Sequence, residues 1–255
     1  MRIHGFGITD IGLKRKLNED HYICDNERNI YLVADGMGGV EGGELASKMA
    51  ADIFLARIHP LLWDEEMTLP CEIEAGEDFH SSLIKYAIAQ ANEAVYQFGM
   101  QDASRRGMGT TFTAAVPVSD RLYVGHIGDS RVYRYRDGVV EQLSEDHTLV
   151  QQMVREGKLS PQEARHHPKK NVITRSLGPK KGVTPDLFSE QLAPGDIYLL
   201  CSDGLYGMVE DGQLVNGLHL SDGKGLEDLG RKLIAMANEG GGKDNITVVL
   251  FTVEE

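Results

Sequence analysis

Short runs of apolar and β-branched residues, broken by Gly, Asp and Asn, recur along the chain. They predict strands over Ile3–Ile8, His21–Cys24, Ile30–Ala34, Thr110–Val116, Arg121–Ile127, Arg131–Tyr135, Asp196–Cys201 and Ile246–Val253. Elsewhere apolar residues recur at spacings of three and four, which predicts helices. Gly43–Ile58 carries Leu45, Met49, Ile53 and Ala56, and Ser82–Phe98 carries Leu83, Ala87, Ala91, Val95 and Phe98. Leu226–Asn238 carries Leu226, Leu229, Leu233 and Met236, and a shorter helix is predicted over Thr148–Glu156. Strands come in runs and helices in pairs, without the strand–helix alternation of a doubly wound sheet. The pattern therefore predicts an α+β domain of antiparallel sheets flanked by helices.

Two stretches interrupt the pattern. Residues 64–78 hold seven acids among fifteen positions, with Pro70 and Gly76, and read as a solvated loop between two helices; the alternative is a docking patch for a basic partner. Residues 147–178 form a long insert between strand-like regions, of a length often used for lids. Within it Ser160-Pro161-Gln162-Glu163 reads as a capping box with Pro at the first helical position.

The whole chain has 255 residues, with 26 Lys and Arg against 39 Asp and Glu, a net charge of −13. That balance argues against a broad nucleic-acid footprint, which needs clustered cations. No stretch approaches the ~18 uncharged apolar residues of a membrane span, and Met1-Arg2-Ile3-His4-Gly5 lacks a signal-peptide core. Cys24, Cys71 and Cys201 are odd in number and form no Cys-x-x-Cys pair, which fits a reducing cytoplasm. No Cys has Arg six positions on, and no Gly-x-x-x-x-Gly-Lys, His-Glu-x-x-His or Gly-x-Ser-x-Gly occurs.

The acids change the picture by where they fall. Ile30-Tyr31-Leu32-Val33-Ala34 runs into Asp35-Gly36, and Tyr123–Gly128 runs into Asp129-Ser130. Ile197–Cys201 runs into Ser202-Asp203-Gly204, and Asp244-Asn245 precedes Ile246–Phe251. Asn18-Glu19-Asp20 stands before another strand. Asp-Gly alone is a common turn dipeptide, but four carboxylates in one context are better explained together. Adjacent strands lie ~5 Å apart, so such ends can converge. Converging carboxylates repel and raise one another's pKa, a cost that a divalent cation removes. Hard oxygen ligands without Cys or His point to Mg²⁺ or Mn²⁺.

Taken together, several blocks resemble the protein phosphatase 2C family of metal-dependent serine/threonine protein phosphatases, in its compact bacterial form. They are Arg15–Asp20, Val33–Gly39, Gly109-Thr110-Thr111, Gly128-Asp129-Ser130-Arg131, Asn171–Gly178, Ser202-Asp203-Gly204 and Asp244–Thr247, and the match runs from Gly7 to Val253. The resemblance implies one domain over residues 1–255, a four-layer αββα sandwich of two antiparallel sheets flanked by helix pairs, with metals at one end. It implies that Asp35 bridges two metals, that the Gly36 carbonyl binds one, and that Asp203 and Asp244 bind the other. Glu19 and Asp20 would hold metal-bound waters, and Asp129 with Asp203 would form a third site. Arg15 would grip the substrate phosphate with its guanidinium fork. Residues 147–178 would be the flap that influences substrate access.

The implied chemistry is hydrolysis of phosphoserine and phosphothreonine on proteins, reversing a Ser/Thr kinase in bacterial signalling. Two cations ~4 Å apart neutralise phosphate charge and turn a shared water into hydroxide at neutral pH. Many relatives carry His two residues after the first metal Asp, or three further on; here those positions are Met37 and Val40. The leaving-group proton is therefore expected from water bound at the site rather than from His21, His126 or His147. The expected partner is a phosphoprotein, with a Ser/Thr kinase or its target as the counterpart, in a cytoplasmic monomer. A pseudophosphatase that only binds phosphoprotein would be expected to lack metal carboxylates, all of which are present. A phosphoesterase for small molecules or nucleic acid is the remaining alternative, its nucleic-acid form disfavoured by the charge.

Overall fold

The computed structural model of the chain describes residues 1–62, 73, 76–210, 212–214 and 225–255. Its eleven described strands are β1 (Arg2–Asp10), β2 (Asp20–Asp25), β3 (Ile30–Met37), β4 (Gly109–Thr110), β5 (Phe112–Val118), β6 (Arg121–Ile127), β7 (Arg131–Arg136), β8 (Val139–Gln142), β9 (Asp186–Gln191), β10 (Ile197–Cys201) and β11 (Ile246–Glu254). The described helices are α1 (Gly39–Leu62), α2 (Phe79–Met100), α3 (Leu149–Arg155), α4 (Pro161–His166), α5 (Asp203–Tyr206) and α6 (Leu226–Glu239).

Two antiparallel sheets result. One has the order β1-β11-β10-β7-β8; the other has β2-β3-β5-β6-β9, with β4 beside β3. Alternation along each strand sends residues to opposite faces, and here both faces are buried. Tyr31 and Val33 of β3 meet Tyr198, Leu200, Val249 and Phe251 of the other sheet, forming the layer between the sheets. Tyr31 and Tyr198 both stack on Phe251, with ring centroids 4.4 and 4.8 Å away. The alternate residues Ile30, Leu32 and Ala34 pack outward against α1 and α2. Leu199, Cys201, Val248 and Leu250 pack outward against Leu229, Leu233 and Ile234 of α6. Two-faced burial explains why these strands read as continuous apolar runs. It also makes the four layers: helices, sheet, sheet, helices.

Several boundaries differ from the sequence pattern. β3 continues past Ala34 because Gly36 and Met37 pair with Thr110 and Gly109. β2 starts at Asp20, which lies opposite Asp35. β8 and β9 were not expected; both are short edge strands with few buried side chains, so neither carries an apolar run. α1 begins at Gly39, four residues before the predicted start, within a glycine-rich stretch of low helix propensity.

In the acidic stretch, Asp64, Glu65, Glu66, Glu72 and Glu74 lie outside the described residues, as does Cys71. Its last two acids are structural rather than free. Asp78 caps α2 by accepting from the Ser81 amide at 3.0 Å, and Glu77 pairs with Lys85 at 2.8 Å. In the 147–178 segment the capping box at Ser160 is present, opening α4. The segment is pinned at its base: the Leu149 amide donates to the Val172 carbonyl and the Thr174 amide to the His147 carbonyl, each at 2.8 Å.

Candidate metal centre

One end of the sandwich collects the acids. A cleft of about 430 Å³ is lined by Arg15, Glu19, Asp35, Asp129, Asp203 and Asp244, with Gly36, Met37, Gly38, Asn171 and Ile173 completing its wall. Asp20 lies just behind it, opposite Asp35 across the β2–β3 pair.

The backbone at Asp35 is held from β4 and β5. The Asp35 amide donates to Thr111 Oγ1 at 2.8 Å, while its carbonyl accepts from the Thr111 amide at 2.8 Å and from Thr110 Oγ1 at 3.0 Å. Gly36 donates its amide to the Glu19 carbonyl at 3.1 Å. A Cβ at Gly36 would overlap the Gly43 carbonyl, so the first turn of α1 rests directly on this strand. Asp129 follows Gly128, whose φ of +110 turns the chain sharply out of β6. The Tyr206 hydroxyl then donates to the Asp129 carbonyl at 2.9 Å. Asp203 opens α5, and Asp244 immediately precedes β11.

Asp20 joins the two sheets. Its Oδ2 accepts from Ser202 Oγ at 2.7 Å and Thr247 Oγ1 at 2.6 Å, both from the opposite sheet end. Its Oδ1 is buried and has no hydrogen-bond partner, and the same is true of Asp203 Oδ1. Burial raises Asp20 to about 7, against the hydrogen bonds from Thr247 and Ser202, with Asp203 and Asp244 adding to the rise. Burial and Asp203 raise Asp129 to about 8. Burial and Asp244 raise Asp203 to about 6, partly offset by Arg15 and Lys170. Asp35 is pushed well above the usual carboxylate range by burial and by Asp20, Asp203, Asp129 and Asp244. Burial also raises Glu19.

Arg15 reaches across this end of the molecule. Its Nη2 donates to Asp244 Oδ2 at 2.7 Å, and its Nη1 lies 4.0 Å from Glu19. The Arg15 loop is organised by Asn245, which the sequence reading noted only as Asp244's neighbour. Asn245 Oδ1 accepts from the Glu19 amide at 2.8 Å, and its Nδ2 donates to the Ile11 and Leu17 carbonyls at 3.0 and 2.9 Å. Thr111, Ser202, Thr247 and Tyr206 were also not singled out. Each acts through a contact distant in sequence; Thr111, Ser202 and Thr247 fall within blocks that carry the family resemblance, and Tyr206 falls in none.

The histidines are committed elsewhere. The Gly128 amide donates to His147 Nδ1 at 3.0 Å, which leaves Nε2–H to donate to Asp186 at 3.0 Å. His126 bonds Thr113 and the Glu145 carbonyl, and burial takes it down to about 3. His21 sits on β2 with Asp52 and Lys48 as its charged neighbours. Among the described residues no imidazole lines the cleft.

The donor set fits divalent cations. All the groups are hard oxygens, two buried carboxylate oxygens are unpartnered, and each upward carboxylate shift is one that a bound cation would reverse. Among the described residues no three such groups stand close enough to chelate an ion as they are; the acids ring the cleft, as mutual repulsion requires.

Comparison with known proteins points the same way. The family description "Protein phosphatase 2C" matches residues 14–250. Protein phosphatase PhpP of Streptococcus pneumoniae is 37% identical over 252 residues, covering 97% of this chain and 96% of that protein. The crystal structure of the Mycobacterium tuberculosis serine/threonine phosphatase PstP/Ppp superposes with a TM-score of 0.87 at 34% identity, covering 100% of both chains. The catalytic domain of PstP in complex with two manganese ions superposes with a TM-score of 0.83 at 34% identity, covering 99% of both.

Proposed function

The chain belongs to the protein phosphatase 2C family and is a metal-dependent serine/threonine protein phosphatase; from that premise we propose how its own residues serve the reaction. In this reading Asp35, Gly36, Asp203, Asp244, Asp129, Asp20 and Glu19 hold two or three Mn²⁺ or Mg²⁺ ions, and residues 1–255 act as one catalytic domain. The supporting observation is the convergence of carboxylates from separate strand ends on one cleft, with a buried, unpartnered oxygen on Asp203 in its wall and another on Asp20 just behind it.

When bound, the cations offset the negative phosphate oxygens and make water a competent nucleophile at neutral pH. The chain positions what they act on. Asp35 is held rigidly through its backbone by Thr110 and Thr111, so its carboxylate is preorganised. Asp20 is oriented by Ser202 and Thr247. Arg15 uses one of its five N–H donors on Asp244 and has others for two phosphate oxygens. Substrate phosphate can thus bind Arg15 without displacing Asp244. With Met37 in the wall and no imidazole there, the proton for the leaving alkoxide comes from solvent in the cleft.

The test is hydrolysis of a phosphothreonine peptide beside a phosphotyrosine peptide, with and without Mn²⁺. The phosphothreonine peptide should be preferred, and Asp35→Asn should lose on the order of 100-fold or more in kcat. Absence of metal-dependent turnover in the wild type would sink the reading. A phosphoprotein opposed by a Ser/Thr kinase, a cytoplasmic setting and a monomer belong to the same proposal; no described helix is long and apolar enough to cross a membrane.

A further inference from the structure

The charge of the chain is unevenly placed. Residues 147–178 carry six Lys and Arg (positions 155, 158, 165, 169, 170 and 175) against Glu156 and Glu163, a local +4 within a total of −13. This basic segment forms a wall of a second cavity, of about 660 Å³, between α3, α4 and the turn that follows α5. The cavity is not separate from the metal cleft: Asp129, Asn171, Asp203 and Asp244 line both.

Away from those acids its charged lining is mostly cationic. Lys170 and Lys243 are exposed to it, and neither makes an ion pair with any described residue. Arg165 lines the same side of the cavity. Arg131 also lines the cavity but is committed: it grips Asp146 with bonds of 2.7–3.2 Å and lies 3.6 Å over the Tyr206 ring. Among the described residues Glu210 is the one lining acid that is neither paired with a cation nor assigned to the metals. Lys170 acts electrostatically on Asp203. Once Asp203 neutralises a cation, Lys170 loses that countercharge and becomes a free positive group one residue from Asn171, at the junction of the two cavities. Val150, Pro161 and Ala164 supply an apolar floor, which suits a polypeptide better than a free anion.

We propose that this cavity receives an anionic side chain of the substrate polypeptide, a few residues from the phosphorylated one, and that Lys170, supported by Lys243, sets a preference for acidic or multiply phosphorylated substrates. The proposal rests on the phosphatase reading and names what that site selects. Carboxylate and phosphoryl groups share the required chemistry, and Lys170 meets either as a point charge. A basic side chain in the same place would be repelled.

The experiment uses the full chain with Mn²⁺ and four phosphothreonine peptides of one length. Their flanks carry Glu, Ala, Lys or a second phosphothreonine. Wild-type kcat/KM should favour the Glu-flanked or doubly phosphorylated peptide over the Ala-flanked one by about threefold to tenfold, the sum of two half-exposed ion pairs. The difference should lie in KM. Lys170→Glu should reverse the order and favour the Lys-flanked peptide, each kcat/KM being read as a ratio to that for p-nitrophenyl phosphate, which has no flanks and so cancels any change at Asp203 itself. Anisotropy with the matching non-hydrolysable phosphonate peptides should show the same reversal in Kd. Whichever of the two anionic peptides gains more identifies the source of the charge. Equal treatment of all flanks by both proteins, with p-nitrophenyl phosphate turnover intact, overturns the subsite alone. Loss of turnover on every substrate in the wild type overturns the phosphatase reading beneath it.

Discussion

Asn245 is not among the proposed ligands, yet three backbone groups of one loop depend on its amide. It accepts from the Glu19 amide and donates to the carbonyls of Ile11 and Leu17, so the loop that carries Arg15 is laid against β11 through one side chain. Alanine in its place strands one donor and two acceptors, some of which water can reach. Asn245→Ala should therefore cost about 2 kcal/mol, seen as a lower urea midpoint, and should raise KM for a phosphopeptide more than it lowers kcat, because Arg15 loosens. An unchanged KM would mean that Arg15 is positioned without this loop. Asp35, Asp129, Asp203 and Asp244 were legible as a group because each stands beside an apolar run. Asn245 was not, because an Asn that reaches back 226 positions to Glu19 looks in sequence like any turn residue.

Among the elements, the contact that matters most for the site is the one between β3 and α1. Gly36 and Gly43 meet backbone to backbone, and Glu19 lies over both. A methyl at Gly43 would overlap the Glu19 carboxylate and stand 2.9 Å from the Gly36 carbonyl carbon. Glu19 can swing aside, but the strand cannot. Gly43→Ala should push α1 outward and weaken Mn²⁺ binding about tenfold, within the range for groups that support ligands; calorimetric titration with the metal checks it, and unaltered affinity would show that α1 can shift freely. The long apolar elements, β3, β5, β6, β10, β11, α2 and α6, were readable because burial on one face leaves a period in the sequence and burial on both leaves a continuous apolar run. β8 and β9 left none, since an edge strand that buries little needs no pattern. The start of α1 was hidden for a related reason: its glycines are there for close approach, and propensity argues against them.

At the scale of the whole molecule, stability and metal binding are tied through protons. Without metal, Asp203, Asp20 and Asp129 hold protons up to about pH 6, 7 and 8 in the fold, against an ordinary value of 3.8. The folded chain thus binds more protons than the unfolded one, and this contribution to stability is lost as pH rises through those values. His126 acts oppositely: lowered from 6.5 to about 3, it favours unfolding as pH falls between those limits and is silent above them. Between about pH 6.5 and 8 only the carboxylates remain, so the metal-free Tm should fall as pH rises. Mn²⁺ held by these residues as proposed would keep them ionised and should abolish that fall. A metal-free Tm that is flat or rising over this range would contradict the linkage. The same fold has a temporal consequence. Among the described residues β1 pairs only with β11, from Arg2↔Glu254 to Asp10↔Ile246, and Arg15 meets Asp244 across 229 positions. A ribosome that has released every residue up to β10 has still not supplied Asp244, Asn245 or the partner of the first strand. The cleft is therefore completed only when β11 emerges, and a nascent chain can dephosphorylate nothing before then.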